Sequence, residues 1–342
     1  MGVIMQHQYI DRESRRIQTE KLLGDAAIRF LYSGVREWTP WLFRRLISAR
    51  ASRILGDLSY SGMFSEKVAD RLGLSTAWGI DLRECVDPPA RLDTLQRIFE
   101  RKIRYWECRP TPNDPHAVVS PADARMLYGS FCETSSLFIK GKFFDYEELF
   151  GVNKNNWLTA FHLGDFGIFR LTPDKYHYNH SPVAGKIIDF YQIPGLYHAC
   201  NPNAVVSVAT PYSKNKRVVT LIDTDVPEGT QVGLVAMIEV VALMIGDIVQ
   251  CYSEQRYDNP SPIGTGMFIR RGTPKSLFRP GSSTVVLVFQ KQRVRFADDI
   301  SANMAHHGAE SIFSRNFGQP LVESDVKVRS LIASRNGMRM AS

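Results

Sequence analysis

Two histidines three positions apart are the first residues in this 342-residue chain whose type and spacing suggest chemistry. His177 and His180 lie between Pro173 and Pro182, which restrict the backbone on both sides. Histidine has an unperturbed pKa near neutrality, so an imidazole pair held in one place is suited to proton transfer. Taken alone, the same pair also fits a structural role.

A second candidate is the turn Gly281-Ser282-Ser283-Thr284, which leads directly into the apolar segment 285–289. A serine at the head of a buried strand can be held rigidly enough to attack the carbonyl of the preceding peptide bond, provided that a base removes its proton. Glycine permits the unusual backbone that such an attack needs. Taken alone, this sequence is typical of an ordinary turn.

The third candidate is Asp123, which follows the turn Ser120-Pro121. A carboxylate there can orient an imidazole and stabilise its protonated form, as the acid of a catalytic triad does. A solvated turn aspartate is the alternative. The sequence contains no Walker A loop, no Gly-x-Gly-x-x-Gly, no His-Glu-x-x-His and no Gly-x-Ser-x-Gly, so the common nucleotide, zinc-protease and hydrolase signatures are excluded.

The elements that must position these residues predict an α+β chain with a β-rich body and N-terminal amphipathic helices. Helical spacing over 14–55 predicts a helical N-terminal region, 1–110, and a proline-rich passage over 109–121 leads to a β-rich catalytic domain, 111–342. A last helix is predicted over 325–334. Short β-branched segments between turns predict strands at Ser136–Ile139, Phe166–Leu171, Lys186–Phe190, Ala204–Val208, Arg217–Asp223, Val232–Val240, Ala242–Cys251 and Ser283–Gln290.

Composition excludes several classes of protein. Hydrophobic residues make up 44% of the chain, which is typical of a globular protein and not of a disordered one. The five cysteines are odd in number and form no Cys-x-x-Cys pair, so neither a disulfide framework nor a metal site is expected. Lys and Arg number 42 against 35 Asp and Glu, but no nucleic-acid module accompanies this excess, and nucleic acid is not an expected partner.

The basic excess is marked near the N-terminus, where basic residues accompany Trp38 and Trp41. Basic amphipathic helices with interfacial tryptophans suit an anionic membrane surface, although an ordinary helical subdomain has the same composition. The apolar stretch 232–249 contains Glu239 and Asp247, so two strands are expected there and not a membrane span. With no signal peptide in the sequence, we expect a peripheral protein on the cytoplasmic side of a membrane.

Together, and in this order, the three candidate segments resemble the phosphatidylserine decarboxylase family. That family carries Ser-Pro-x-Asp-Gly, then Tyr-His-x-x-His-x-Pro, then a Gly-Ser-Thr element before a valine-rich strand. The corresponding segments here are 120–124, 176–182 and 281–286. Phe138-Ile139-Lys140-Gly141 and the pair Asn201-Pro202 with Lys216-Arg217-Val218-Val219 add to the similarity, which covers roughly residues 9–295.

The resemblance implies that the β-rich body is a barrel-sandwich core. It also implies a proenzyme that cleaves itself between Ser282 and Ser283 into a β chain, 1–282, and an α chain, 283–342. By similarity, Asp123 orients His180, His180 deprotonates Ser283, and Ser283 becomes a covalent pyruvoyl cofactor. His177 is the candidate donor that returns a proton after decarboxylation. The implied reaction converts phosphatidylserine to phosphatidylethanolamine, with a phospholipid as substrate and a homodimer as a family expectation.

Departures from the family pattern leave alternatives open. Ser282 replaces the usual glycine, so cleavage before Ser282 is a second possibility, although the register of the following strand favours Ser283. Tyr178, Ala184 and Asp247 also differ from many relatives. These changes favour a free amino acid such as tryptophan as an alternative substrate. The Ser282 departure is also compatible with a non-catalytic lipid-binding relative.

Overall fold

The computed structural model describes residues 6–22, 31–32, 39–48, 79–132, 143–208, 210–243, 247–281 and 283–337. Strands form most of its regular structure. They are β1 (Gln8–Asp11), β2 (Arg16–Thr19), β3 (Ala117–Val119), β4 (Ala124–Ser130), β5 (Asp165–Leu171), β6 (Tyr178–His180), β7 (Gly185–Ile193), β8 (Arg217–Asp223), β9 (Leu234–Val241), β10 (Ile248–Gln250), β11 (Phe268–Ile269), β12 (Pro274–Phe278), β13 (Ser283–Phe289), β14 (Val294–Phe296), β15 (Glu323–Val326) and β16 (Leu331–Arg335).

The α-helices in the described ranges are short, at most seven residues each. They are α1 (Pro40–Leu46), α2 (Leu95–Phe99), α3 (Tyr105–Cys108), α4 (Tyr146–Phe150), α5 (Asn155–Ala160), α6 (Pro202–Ser207), α7 (Pro211–Lys214), α8 (Asp298–Met304) and α9 (Ile312–Phe317). Helix α1 begins at Pro40 after Thr39, where the sequence predicts a helix start, because proline suits the first turn of a helix. Residues 1–5, 23–30, 33–38 and 49–78 of the predicted helical N-terminal region lie outside the described part of the chain, and the predicted boundary near residue 110 stays a prediction.

One large sheet organises the fold. Its ten strands have the order β11-β7-β8-β9-β13-β5-β4-β15-β1-β2, and β13 lies at its centre, antiparallel to both β9 and β5. Two three-stranded sheets, β10-β12-β6 and β14-β16-β3, complete the strand pairing. The fold is therefore α+β, as predicted. Among the described strands the large sheet does not close, since β11 and β2 form its edges, so the architecture is a sandwich and not a barrel.

Both faces of the large sheet are buried. Side chains alternate along a strand, so neighbouring residues of β13 enter different cores. Val285 packs with Phe169 in one cluster, and Val286 packs with Ile168 in another. All seven residues of β13 are buried, which explains why its sequence is a continuous apolar run and not an alternating pattern.

The sheet β10-β12-β6 lies over one face of the large sheet. Two of its side chains, Lys275 on β12 and Asn179 on β6, bond to Glu239 on β9. The two histidines and the start of β13 are thus held by strands of two facing sheets.

Most strand predictions are confirmed. Strand β8 has the predicted bounds, and β5, β7, β9 and β13 differ from them by three residues or fewer at each end. The stretch 232–249 forms β9 and leads into β10, as expected from its internal charges, but β10 covers only Ile248–Gln250 of the predicted strand Ala242–Cys251. The predicted strand Ser136–Ile139 lies outside the described residues, as does Phe138-Ile139-Lys140-Gly141.

Three predictions are wrong. Residues Ala204–Val208 belong largely to helix α6, because Asn201 caps its N-terminus by accepting from the Asn203 N–H and Pro202 occupies its first turn. The predicted C-terminal helix is instead β15 and β16, whose partners, β1 and β4 for β15 and β3 and β14 for β16, are distant in sequence. The helical pattern after Ser14 fails at β2, which forms a hairpin with β1.

Candidate active site

Ser283 is the first residue of β13 and is 1% exposed. It lies opposite Leu171 of β5 and Val241 of β9. Its hydroxyl has no hydrogen-bond partner among the residues that the structure describes. Gly281 has a φ of 147°, a value that residues with a Cβ rarely adopt, so glycine permits the turn into the strand. Ser282 lies outside the described residues.

His177 precedes β6 and is fully buried. Its ring stacks on Phe99 with centroids 3.5 Å apart, and its Nδ1 lies 2.7 Å from the Lys175 carbonyl oxygen. Because a carbonyl only accepts, Nδ1 carries the proton and Nε2 carries the lone pair. Nε2 has no partner in the described part of the chain. Burial and the nearby Arg101 charge hold the pKa of His177 well below its usual value, so the ring is neutral.

His180 is also buried and neutral, but both of its ring nitrogens are engaged. Nδ1 donates to the Gly272 carbonyl at 2.9 Å, so Nε2 accepts from the Tyr176 hydroxyl, also at 2.9 Å. The ring meets Tyr105 edge-on. Burial lowers the pKa of His180 to about 3. The imidazole is therefore in the protonation state of a general base, with Nε2 as its basic atom.

Asp123 is held by Arg109. The guanidinium donates to both carboxylate oxygens at 3.1 and 2.9 Å, and the Val328 N–H donates to Oδ1 at 2.8 Å. Burial alone would raise the pKa of Asp123, but the Arg109 charge and these hydrogen bonds hold it well below the usual range. Asp123 is thus a fixed, buried anion.

The structure brings these four residues into one region, but the two histidines lie on opposite faces of β6. The turn before Asp123 adjoins β6, since the His180 N–H donates to the Pro121 carbonyl at 2.7 Å. Alternation along the strand puts His177 on the same face as Asn179, which contacts the large sheet, and His180 on the opposite face. Within the described ranges, no hydrogen bond joins Asp123, His180 or Ser283 to another of the three.

Sequence reasoning missed a polar network beside Ser283. Glu239 accepts from Lys275 at 2.7 Å, from Asn179 at 3.3 Å and, through a short contact, from Ser276. Lys275 and Glu239 are both fully buried. The available signal was the single charge of Glu239 inside an otherwise apolar strand, which the sequence analysis used only to exclude a membrane span.

One cluster of metal-ligand residue types occurs in the described part of the chain, formed by His7, Glu20 and Glu323. Arg170 donates to both carboxylates, so a guanidinium already occupies the position that a cation would take. The cluster is therefore a buried ion-pair network.

The fold and the site together define a class of protein: an α+β sandwich with two buried neutral imidazoles, a buried carboxylate and an unpartnered serine at the head of a central strand. Comparison with known proteins agrees with this class. The family model described as phosphatidylserine decarboxylase matches residues 95–314, and the chain belongs to that family, whose members are carboxy-lyases.

Individual relatives are similar over most of this chain. It is 29% identical over 298 residues to a phosphatidylserine decarboxylase proenzyme of Fusobacterium nucleatum, covering 86% of this chain and 91% of that one. It is 28% identical over 297 residues to the proenzyme of Ruminiclostridium cellulolyticum, covering 86% and 90%. It is 30% identical to proenzyme 3 of Schizosaccharomyces pombe, where 86% of this chain covers 29% of that much longer protein.

Proposed function

We propose that this protein is a pyruvoyl-dependent decarboxylase that converts phosphatidylserine to phosphatidylethanolamine after cleaving its own chain between Ser282 and Ser283. The observation that carries the proposal is the Ser283 hydroxyl. It is buried, has no partner among the described residues and follows Gly281 with its positive φ. A buried hydroxyl without a hydrogen bond costs about 1–3 kcal/mol, and its position at the head of β13, two residues after Gly281, supports a functional role for this one.

In the proposed cleavage, Ser283 gives its proton to an imidazole, and its oxygen attacks the Ser282 carbonyl carbon. An ester bond forms as the peptide C–N bond breaks, and the proton goes to the released nitrogen. The same base then removes the α-proton of residue 283. The bond between the Ser283 Cβ and the ester oxygen breaks, which frees the Ser282 carboxylate and leaves a dehydroalanine. Water converts this residue to a pyruvoyl group and releases ammonia.

The base is His180 in the assignment that the sequence suggests. Gly272 supports this role because its carbonyl fixes the tautomer in which Nε2 carries the lone pair. Asp123 contributes a buried negative charge that favours the protonated imidazole during the reaction. For Nε2 to receive the Ser283 proton, His180 must release the Tyr176 hydroxyl, and its ring must move from the opposite face of β6 toward Ser283.

The surroundings of Ser283 fit a pyruvoyl group, because residue 283 is buried at the head of β13 and its side chain makes no hydrogen bond in the described part of the chain that the conversion would break. When present, that group supplies an electron-accepting carbonyl for the bond that releases carbon dioxide. His177 returns a proton to the substrate carbon. Its Nε2 carries the lone pair in the resting ring and has no partner among the described residues, so it must first take up this proton, and a low pKa then makes the proton easy to transfer.

Helix α1 supports docking at an anionic membrane surface. Trp41 is 62% exposed, and Arg44 and Arg45 lie in the last turn of the helix. The Arg45 guanidinium lies 5.8 Å from the Trp41 ring centroid. An exposed tryptophan beside basic groups suits the headgroup region. Separately, none of the helices in the described ranges is long and apolar enough to cross a bilayer.

Intact-mass measurement of the purified protein tests the cleavage. We expect two chains divided before residue 283, the smaller lacking a free amino terminus. Ser283→Ala should remain a single chain of 38.7 kDa with no decarboxylation above background. The matched control is Thr284→Val, which removes the next hydroxyl along the strand, a group that bonds to Cys200 on the opposite face.

Vesicles containing phosphatidylserine test the substrate. Cleaved protein should form phosphatidylethanolamine, and the rate should fall with salt if α1 docks through charge. Carbon dioxide release from a free amino acid, with no product from vesicles, would reassign the substrate. An uncleaved chain that still binds vesicles would favour the non-catalytic alternative.

A further inference from the structure

The side-chain oxygen of Asn179 is a buried acceptor without a donor. Asn179 is fully buried in β6, and its Oδ1 has no hydrogen-bond partner in the described part of the chain. Two neighbours, Glu239 and Ser276, engage only its nitrogen, at 3.3 and 3.1 Å. The carboxamide is thus satisfied on one side alone.

The chemistry of these neighbours fixes which way the amide points. The Glu239 carboxylate is paired with the Lys275 ammonium, and an ionised carboxylate only accepts hydrogen bonds. The Asn179 nitrogen must therefore face Glu239. Reversing the amide would set two acceptors, Oδ1 and a Glu239 oxygen, against each other. The free position is consequently an acceptor, and its missing partner is an N–H or O–H donor.

The free acceptor lies on the side of β6 that faces Ser283. Glu239 is in register with Val285, and Val241 is in register with Ser283, so Glu239 and Ser283 are diagonal neighbours on one face of the large sheet. Such neighbours are roughly 7–8 Å apart. Asn179 contacts Glu239 directly and shares its face of β6 with His177. Three polar atoms without a partner among the described residues thus lie on the facing sides of two sheets: Ser283 Oγ on the large sheet, and His177 Nε2 and Asn179 Oδ1 on the side of β6 turned toward it.

We propose that Asn179 binds the primary amine of the substrate headgroup through Oδ1, with its amide held in orientation by Glu239. The inference rests on the proposed function, in which that amine must approach residue 283. A primary amine carries N–H donors, which is the partner that Oδ1 lacks. A quaternary ammonium of similar shape carries none, so this contact selects serine and ethanolamine headgroups over choline.

Calorimetric binding of two soluble headgroups tests the proposal. The cleaved protein is first reduced with borohydride, so that covalent capture of an amine at the new terminus is removed. Phosphoethanolamine and phosphocholine are then titrated in. The reduced wild type should bind phosphoethanolamine about ten- to hundredfold more tightly, as expected for a hydrogen bond to a charged donor.

Asn179→Leu and Asn179→Ser should reduce this preference to about threefold or less. Asn179→Ser guards against misfolding of the larger change. The matched control is Ser276→Ala, which removes the other contact of the Asn179 nitrogen but leaves Oδ1 in place, and it should keep the preference.

Three binding results would overturn the inference: no preference in the wild type, a preference that survives in the Asn179 variants, or an equal loss in Ser276→Ala, which would show that the network is only structural. Failure of both Asn179 variants to cleave would also overturn it, because the residue would then act in folding or cleavage. A wild type that never cleaves contradicts the proposed function instead, and mass measurement detects this before any titration.

Discussion

Buried polar groups lie on both faces of the adjacent strands β5 and β13, and the two faces differ in whether these groups have hydrogen-bond partners. On one face, Arg170 donates four hydrogen bonds to Glu20 and Glu323. On the other, the next residue of β5, Leu171, lies opposite Ser283 of β13, whose hydroxyl has no partner among the described residues. We call the first set, His7, Glu20, Arg170 and Glu323, the arginine cluster, and the second, His177, Asn179 and Ser283, the serine cluster.

The difference shows how to distinguish structural from functional burial. Burial alone would lower the pKa of Arg170, but Glu20 and Glu323 raise it well above its ordinary value, so the charges stabilise one another. The serine cluster has no such compensation, and each unpartnered atom costs about 1–3 kcal/mol. A complete network thus indicates architecture, whereas unpartnered atoms that converge on one face indicate a site for a ligand or a reacting group.

The largest expected effect is a loss of turnover on the serine-cluster side. His177→Gln removes the unpartnered Nε2, and decarboxylation by cleaved protein should fall about 10²–10⁴-fold, which is the usual contribution of a general acid or base. The free energy of unfolding should change by only about 1–2 kcal/mol, because the ring makes one hydrogen bond and one stacking contact. Single-turnover rates and urea unfolding of the same preparation check both statements.

The next largest effect is a loss of stability, and it is expected in the arginine cluster. Arg170→Met removes the guanidinium that pairs with Glu20 and Glu323, both at 2.5 Å, so the free energy of unfolding should drop by about 3–5 kcal/mol. The fraction of the protein that folds should still cleave its chain. A stability loss below about 1 kcal/mol, measured by urea unfolding, would contradict the distinction drawn between the two clusters.

Acid should act through the buried imidazole of His180. Its pKa is about 3 in the folded protein and about 6.5 when unfolded, so the unfolded chain binds more protons between these values. Stability contributed by this group is complete above pH 6.5 and is lost as the pH falls toward 3, by up to about 1.4 kcal/mol per pH unit. His180→Gln should flatten the slope of unfolding free energy against pH in this window. An unchanged slope would show that other groups control acid unfolding.

The smallest effect is expected at an exposed ion pair, which serves as the reference for the buried ion pairs of the arginine cluster. Arg97 lies 2.9 Å from Asp93, and the two side chains are 60% and 52% exposed. Arg97→Met should therefore change the free energy of unfolding by at most about 1 kcal/mol. A loss as large as that of Arg170→Met would mean that burial does not govern these ion pairs.

The local sequence pattern was sufficient to predict much of the large sheet and to indicate the family. The β-branched runs that form β8 and β13 have few alternatives to a buried strand. The Asp, His and Ser motifs, in that order along the chain, are sufficient to indicate the decarboxylase family without any geometry. Prediction failed where distant partners decide the structure. Strand β15 pairs with β1, more than 300 residues away, and a sequence window contains no information about such a partner.

The sequence by itself determined which side chains are available near residue 283, because residue type and order are local properties. Only the tertiary structure decided that His177 and Asn179 share a face toward the large sheet, that His180 bonds to Tyr176 and Gly272, and that Asp123 pairs with Arg109. The physical reason is that a hydrogen bond depends on which strands meet and what water they exclude. Those conditions are set by pairing and burial across the whole chain.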